Sequence, residues 1–362
     1  CRLCCRQPSH PYEVTVARVP SIPPPADSPV SEVSVDTKGA VVAVLERNRT
    51  VAGRIARVLK AATGVPLVAV EDDPATLRSQ LSADPCLLAC EASEIELAVD
   101  WASDRYPNLK IIAWTQDDVE ALLPVVEANR SIVGVLGWPS FASMPRPWEL
   151  LQLARKALPA GDRRDAPLEL PSLTDTIPWG GTVVKYLPRT SRERDLVVAD
   201  VAVHAERLGA TSRTAQRAGE VAHEFLMNAM YDAPVDGLGN SLFAHDRKQD
   251  VSLGREHAPT LRVGGDGMTF AVQIRDPFGG LDRATLLRSI RRGRAAAGGG
   301  QQVLDTSNGG AGLGLFRCYA AAQVLAVEVI PGHATQITAW FDLDIPPREA
   351  RRVPTSLHLF LP

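Results

Sequence analysis

Five short apolar runs punctuate the first half of the chain: AVVAVL (40–45), PLVAV (66–70), CLLAC (86–90), KIIAW (110–114) and IVGVL (132–136). Each run is continuous rather than alternating, as expected of strands buried on both faces of a parallel sheet. Between them, segments such as RTVAGRIARVLKAA and EIELAVDWASDRY carry apolar residues at helical spacing. Alternating strand and helix predicts a doubly wound α/β domain over residues 39–157.

The pattern then changes. PAGDRRDAPLELPSLTDTIPWGG is rich in Pro, Asp and Gly without sustained periodicity, which predicts a linker over 158–178. After it come a strand, TVVKYLP, and two long helical stretches, RERDLVVADVAVHAERL and RTAQRAGEVAHEFLMNAM. Two strand pairs follow, TLRV with MTFAVQIRD around GGDG, and LAVEVI with TQITAWFDL around PGHA. Helices on one side of a mixed, largely antiparallel sheet predict an α+β domain over 179–348. The Pro- and Ser-rich start, including SIPPPADSPVSEVS, predicts a disordered leader over 1–38, and residues 349–362 a C-terminal tail.

Composition narrows the classes. At 362 residues, 45% hydrophobic and 22% charged, the chain can bury two ordinary cores. A net charge of -3, with Lys and Arg spread rather than blocked, argues against a nucleic-acid partner. No apolar run has the length of a membrane span. The six cysteines are crowded into CRLCC or scattered in apolar runs, which is no disulfide framework and predicts a cytoplasmic protein. CRLCC, lacking a second ligand pair, is weak evidence for a metal site.

Candidate chemistry concentrates in the second half. AHEFLMNAMYDAP (222–234) places Glu224 and Asn228 one helical turn apart among apolar neighbours. In QIRDPFGGL a strand ends at Asp276 and runs into Gly279 and Gly280. A carboxylate there can accept from an exocyclic amine, and the glycines admit a ring or sugar, although D-P and G-G are also plain turn chemistry. In NGGAGLGLF, Gly310, Gly312 and Gly314 precede an apolar helix, whose exposed N–H groups suit an anion. This is neither a dinucleotide-fold fingerprint nor a Walker loop. GHATQITAWF puts Thr335 at the start of a terminal strand, where a hydroxyl is more often an ordinary strand residue.

Together and in this order, HEFLMNA, DPFGG, GAGLGL and GHAT resemble the GHKL superfamily of ATPases. That superfamily includes gyrase, histidine kinases and anti-sigma-factor serine kinases. The resemblance implies ATP and Mg²⁺ as cofactors. Asn228 would hold the metal and Glu224 would orient or deprotonate the attacking group. Asp276 would read the adenine amino group with Gly280 beside it. Gly310, Gly312 and Gly314 would cradle the phosphates, with Thr335 near the adenine end. Two features depart from the pattern: Phe278 stands at the middle glycine of the acid box, and residues 235–260 look like an insertion. Arg288, Arg291, Arg292 and Arg294, between the glycine boxes, read either as phosphate or partner contacts or as a solvated basic face.

With no separate phospho-accepting hairpin before Glu224, the chain is closer to the anti-sigma-factor serine kinases than to a two-component histidine kinase. His204 and His223 read as packing or local hydrogen-bonding residues. The first domain resembles a response-regulator receiver of flavodoxin-like order. Glu46-Arg47, Cys90-Glu91 and Gly137-Trp138-Pro139 stand where a receiver needs its acidic pair, phospho-accepting Asp and Lys, while Thr115 matches the usual hydroxyl. The expectation is a pseudo-receiver joined to a GHKL domain that phosphorylates a protein partner or binds it according to nucleotide state, with homodimerisation left open. The alternative is a non-catalytic two-domain scaffold or interaction protein of a two-component or partner-switching pathway.

Overall fold

The structure, a computed structural model, describes residues 13–18, 41–65, 67–81, 83–158, 170–177, 181–297, 313–346, 348–350 and 352–362. The chain is α/β and divides into two compact units. Cys1–Pro23, Glu169–Ala350 and Phe360–Pro362 belong to one; Pro24–Leu168 and Arg351–Leu359 belong to the other. The first described strand, β1 (Glu13–Arg18), falls inside the expected leader. It nevertheless forms a regular antiparallel pair far along the chain, from Glu13↔Leu187 to Arg18↔Thr182.

In the second unit, strands β2 (Val41–Leu45), β3 (Leu67–Glu71), β4 (Pro85–Glu91), β5 (Lys110–Thr115) and β6 (Ile132–Gly137) are all parallel. They run in the order β3-β2-β4-β5-β6, the doubly wound order expected when helices cover both faces. Those helices are α1 (Arg49–Thr63), α2 (Pro74–Gln80), α3 (Ile95–Asp104), α4 (Leu123–Ala128) and α5 (Pro147–Ala157). Every residue of β2 and β6 is buried, which is why neither run alternates. Helix α1 is bounded by its own chemistry. Asn48 accepts from the N–H groups of Thr50 and Val51, and Gly64 closes the helix at φ 67°.

The other unit holds α6 (Leu173–Thr176), β7 (Thr182–Leu187), α7 (Ser191–Arg207), α8 (Ser212–Met227), β8 (Thr260–Gly265), β9 (Thr269–Asp276), α9 (Arg283–Ala297), α10 (Gly314–Ala321), β10 (Val324–Ile330) and β11 (Ala334–Asp342). Its strands run β1-β7-β8-β9-β11-β10, and every pairing is antiparallel. Helix α7 begins with a capping box between Thr190 and Glu193. Helix α8 buries Ala215, Ala218, Ala222, Phe225 and Leu226, a stripe at helical spacing that packs toward β9 and β11.

Two segments differ from expectation besides β1. The described part of the expected linker docks on this unit rather than crossing solvent. Leu173 N–H donates to Gln273 Oε1 at 3.1 Å, and Gln336 Nε2 donates to the Pro171 carbonyl at 3.0 Å. The expected C-terminal tail carries β12 (Ser356–Phe360), antiparallel to β6 through Leu357↔Val135 and His358↔Gly134. The parallel unit is therefore assembled from chain segments on both sides of residues 169–350. Among the described residues no helix is long and apolar enough to cross a membrane.

Candidate functional site

Helix α8 does not end as an α-helix. Its last turn widens into a π segment, Asn228–Asp232, in which the Ala233 N–H donates to the Asn228 carbonyl at 2.9 Å. Such single-turn π segments recur at functional sites because they re-aim the side chains beyond them. Here Asn228 and Asp232 both line a cavity of about 430 Å³.

Asn228, Asp276, Gly280, Gly314 and Thr335, drawn from four separated motifs, all line that one cavity. Strand register brings two of them together, since Thr335 on β11 lies opposite Asp276 at the end of β9. Both are buried. Burial pushes the Asp276 carboxyl up to about 6, against the Phe278 and Gly279 N–H groups and the Thr335 hydroxyl, which pull it down. The Phe278 N–H donates to Asp276 Oδ1 at 2.9 Å, so the turn and the cavity share one carboxylate.

Glu224 does not itself line the cavity but lies against Gly314, which does. Arg317 Nη1 donates to its Oε1 at 2.8 Å, while its Oε2 faces the start of α10. A Cβ placed on Gly314 would lie 2.6 Å from Glu224 Oε2 and 3.8 Å from Asn228 Oδ1. Glycine at 314 thus lets α10 begin directly against the two polar residues of α8. Gly310 and Gly312 lie outside the described residues.

The acid box works differently from its glycine spacing. Gly279 holds φ 64°, and a Cβ there would run into the Ile330 carbonyl and the backbone of Gly332 and His333. A Cβ placed on Gly280 would meet nothing within 4 Å. The conformational demand therefore falls on Gly279, and Phe278 turns out against His257, ring centroids 5.6 Å apart. Gly279→Ala is expected to lose about 1–3 kcal/mol in chemical denaturation. Gly280→Ala should stay within about 0.5 kcal/mol.

Other cavity residues had little or no sequence signal. Of the four arginines between the glycine boxes, Arg288 and Arg292, one turn apart on α9, line the cavity. Arg247, from the 235–260 segment, also lines it, and its Nε donates to Asp232 Oδ1 at 3.1 Å. Burial raises the Asp232 carboxyl above its ordinary range, Arg247 opposes this, and Glu224 adds to it. His223 is exposed rather than packed, whereas burial lowers the half-buried His204.

In the parallel unit the residues at the strand ends are engaged internally. Glu46 is buried and accepts from Trp114 Nε1 at 3.1 Å and from the Asn48 N–H at 2.8 Å. Arg47 pairs with Glu94 at 2.8 Å, and Trp138 Nε1 donates to the Ala142 carbonyl at 3.0 Å. Cys90 is fully buried, which drives its thiol well up from the ordinary range.

No protein-family model matches the chain, and no curated protein matches it. Among solved structures, a chain of the SiaB-SiaC complex from Pseudomonas aeruginosa is similar at 16% identity and a TM-score of 0.30. That match covers 43% of this chain and 86% of that one.

Proposed function

We propose that the antiparallel unit is a GHKL-type domain that binds Mg-ATP in the 430 Å³ cavity, and that the chain is a signalling protein acting on a protein partner. The partner is phosphorylated, or bound according to nucleotide state. The carrying observation is the convergence of Asn228, Asp276, Gly280, Gly314 and Thr335 on one cavity. Its volume falls within the usual range for small-molecule sites. The donor set also fits the ligand. An amide oxygen suits a metal that binds mostly through phosphates and water. Three guanidinium groups, from Arg247, Arg288 and Arg292, suit the phosphates themselves.

In this reading Asn228 holds Mg²⁺, Asp276 accepts from the adenine amine with Gly280 and Thr335 beside it, and Gly314 borders the phosphates, a role the sequence resemblance also gives Gly310 and Gly312. Bound Mg-ATP supplies the transferable phosphoryl group. Glu224 Oε2 orients or deprotonates the attacking hydroxyl or water. The parallel unit acts as a receiver-like regulator without phospho-acceptor chemistry, supported by the internal hydrogen bonds that occupy Glu46. One observation favours the non-catalytic alternative: Arg317 already holds Glu224.

Titration calorimetry with ATP and Mg²⁺ tests the reading. Asp276→Asn should weaken binding about tenfold or more, the equivalent of one lost hydrogen bond to a charged acceptor. The wild-type affinity should hold above pH 6, where the carboxylate is ionised, and fall about tenfold per unit below it. Asp276→Asn should lose that dependence. Absence of ATP binding, or binding indifferent to Asp276→Asn, would overturn the reading.

A further inference from the structure

Resting on that reading, we infer that the 235–260 segment is part of the nucleotide site and that its Arg247 is a phosphate-facing cation that selects ligands carrying a polyphosphate chain.

The starting point is an electrostatic conflict. Asp232 lies one turn beyond Asn228 and lines the same cavity, so a second carboxylate stands beside the residue assigned to the metal. Left alone, it would repel a polyanion. Arg247 resolves the conflict by pairing through both Nε and Nη2 with the two oxygens of Asp232. A guanidinium has five N–H donors, and this pairing uses two, leaving the remainder of the fork to meet another anion. Arg247 also tips the charge of the cavity: three arginines face Asp232 and Asp276, where without it two would face two.

The segment that carries Arg247 is built onto the site. The Tyr231 hydroxyl, within the π segment, donates to the Gln249 carbonyl at 3.0 Å. The Val251 N–H donates to Ser191 Oγ at 2.9 Å, and the Leu253 N–H to the Arg189 carbonyl at 2.8 Å. Val251 and Leu253 are buried with Met230 and Tyr231 in a small core of their own. Gln249, two residues beyond Arg247, is therefore fixed to the same turn that presents Asn228 and Asp232. Such anchoring reduces the ordering that an anion contact would otherwise require. An arginine held this way discriminates by charge and shape, whereas Asp276 at the strand end has no contact with phosphates to offer.

The test is titration calorimetry of the full chain with Mg²⁺ and ATP, with adenosine measured by displacement, for Arg247→Ala, Arg247→Lys, Asp232→Asn and the Arg247→Ala/Asp232→Asn double variant. Arg247→Ala should weaken ATP about tenfold or more, comparable to one charge-assisted contact, and leave adenosine unchanged. Arg247→Lys should fall between, keeping the charge but losing the fork. Asp232→Asn should bind ATP at least as tightly as wild type, and the double variant should recover only part of the Arg247→Ala loss, remaining several-fold weaker than wild type. Recovery of wild-type affinity in the double variant would overturn the inference, because Arg247 would then only neutralise Asp232. Equal loss of ATP and adenosine in Arg247→Ala and Arg247→Lys would also overturn it, assigning the residue to the fold. ATP binding that is intact in every variant sinks this inference alone; wild-type protein that binds no ATP sinks the nucleotide reading with it.

Discussion

Glu224→Gln is expected to lower ATP-dependent phosphoryl transfer or hydrolysis by a factor of about 10²–10⁴, the usual contribution of a positioned general base. The substitution keeps the shape of the side chain and its capacity to accept a hydrogen bond, but removes its capacity to take a proton. Two neighbours fix the position of Glu224. Arg317 holds Oε1 at 2.8 Å, and Gly314 leaves room at Oε2 where any Cβ would intrude at 2.6 Å. ATP affinity should change by no more than about threefold, since Asn228, Asp276 and the arginines are untouched. Single-turnover assays paired with calorimetry separate the two quantities. Equal loss of binding and turnover would make Glu224 a packing residue. A wild-type protein that binds ATP yet shows no transfer or hydrolysis would favour the interaction-protein alternative, with Arg317 as the reason the carboxylate is idle.

Much of the cavity was legible because its parts sit at element boundaries, where sequence speaks most directly. Asp276 ends a strand, Thr335 starts one, Gly314 starts a helix and Asn228 ends one; register and capping then converge them. Strands β2 to β6 were legible because burial on both faces leaves continuous apolar runs. What escaped notice depends on contacts remote in sequence. EVTVAR and SLHLF are too short to declare themselves, and become strands only by pairing with Thr182–Leu187 and with β6. Leu170–Ile177 reads as a linker because its one short helix, α6, is docked by hydrogen bonds to the distant Gln273, Arg275 and Gln336. Arg247 had no signal at all, since the segment around it has no periodicity and only Asp232 gives it meaning. In the acid box, Gly280 lines the cavity while Gly279 carries the turn. Only the structure shows that division, because the backbone of the β10–β11 turn sits against Gly279.

The largest stability effect is expected in the parallel unit, from Glu149→Ala. Glu149 is 0% exposed in the first turn of α5. Arg146 Nη1 donates to its Oε2 at 3.1 Å, and His358 Nε2 on β12 lies 3.0 Å from its Oε1. Removing the carboxylate leaves two buried cationic or polar groups facing an apolar gap, a change that costs about 3–5 kcal/mol in comparable buried pairs. Burial works to raise the Glu149 carboxyl, but the hydrogen bond from His358 and the charges of Arg146 and His358 outweigh it and hold the group below its ordinary 4.5. A depressed carboxyl stabilises the fold fully above its unfolded value and loses that contribution as pH falls through the folded one. Urea unfolding should therefore show wild-type stability falling steeply below about pH 4.5, and Glu149→Ala falling less. Replacing the whole cluster (Arg146→Met, Glu149→Leu, His358→Leu) should recover most of the loss, or gain stability, because desolvated charges give way to packing. The cluster also tests the topology, since His358 reaches Glu149 only if the chain's end pairs with β6. If Glu149→Ala and His358→Ala each cost less than about 1 kcal/mol, the level of an exposed pair, the buried cluster does not hold the C-terminal strand in place.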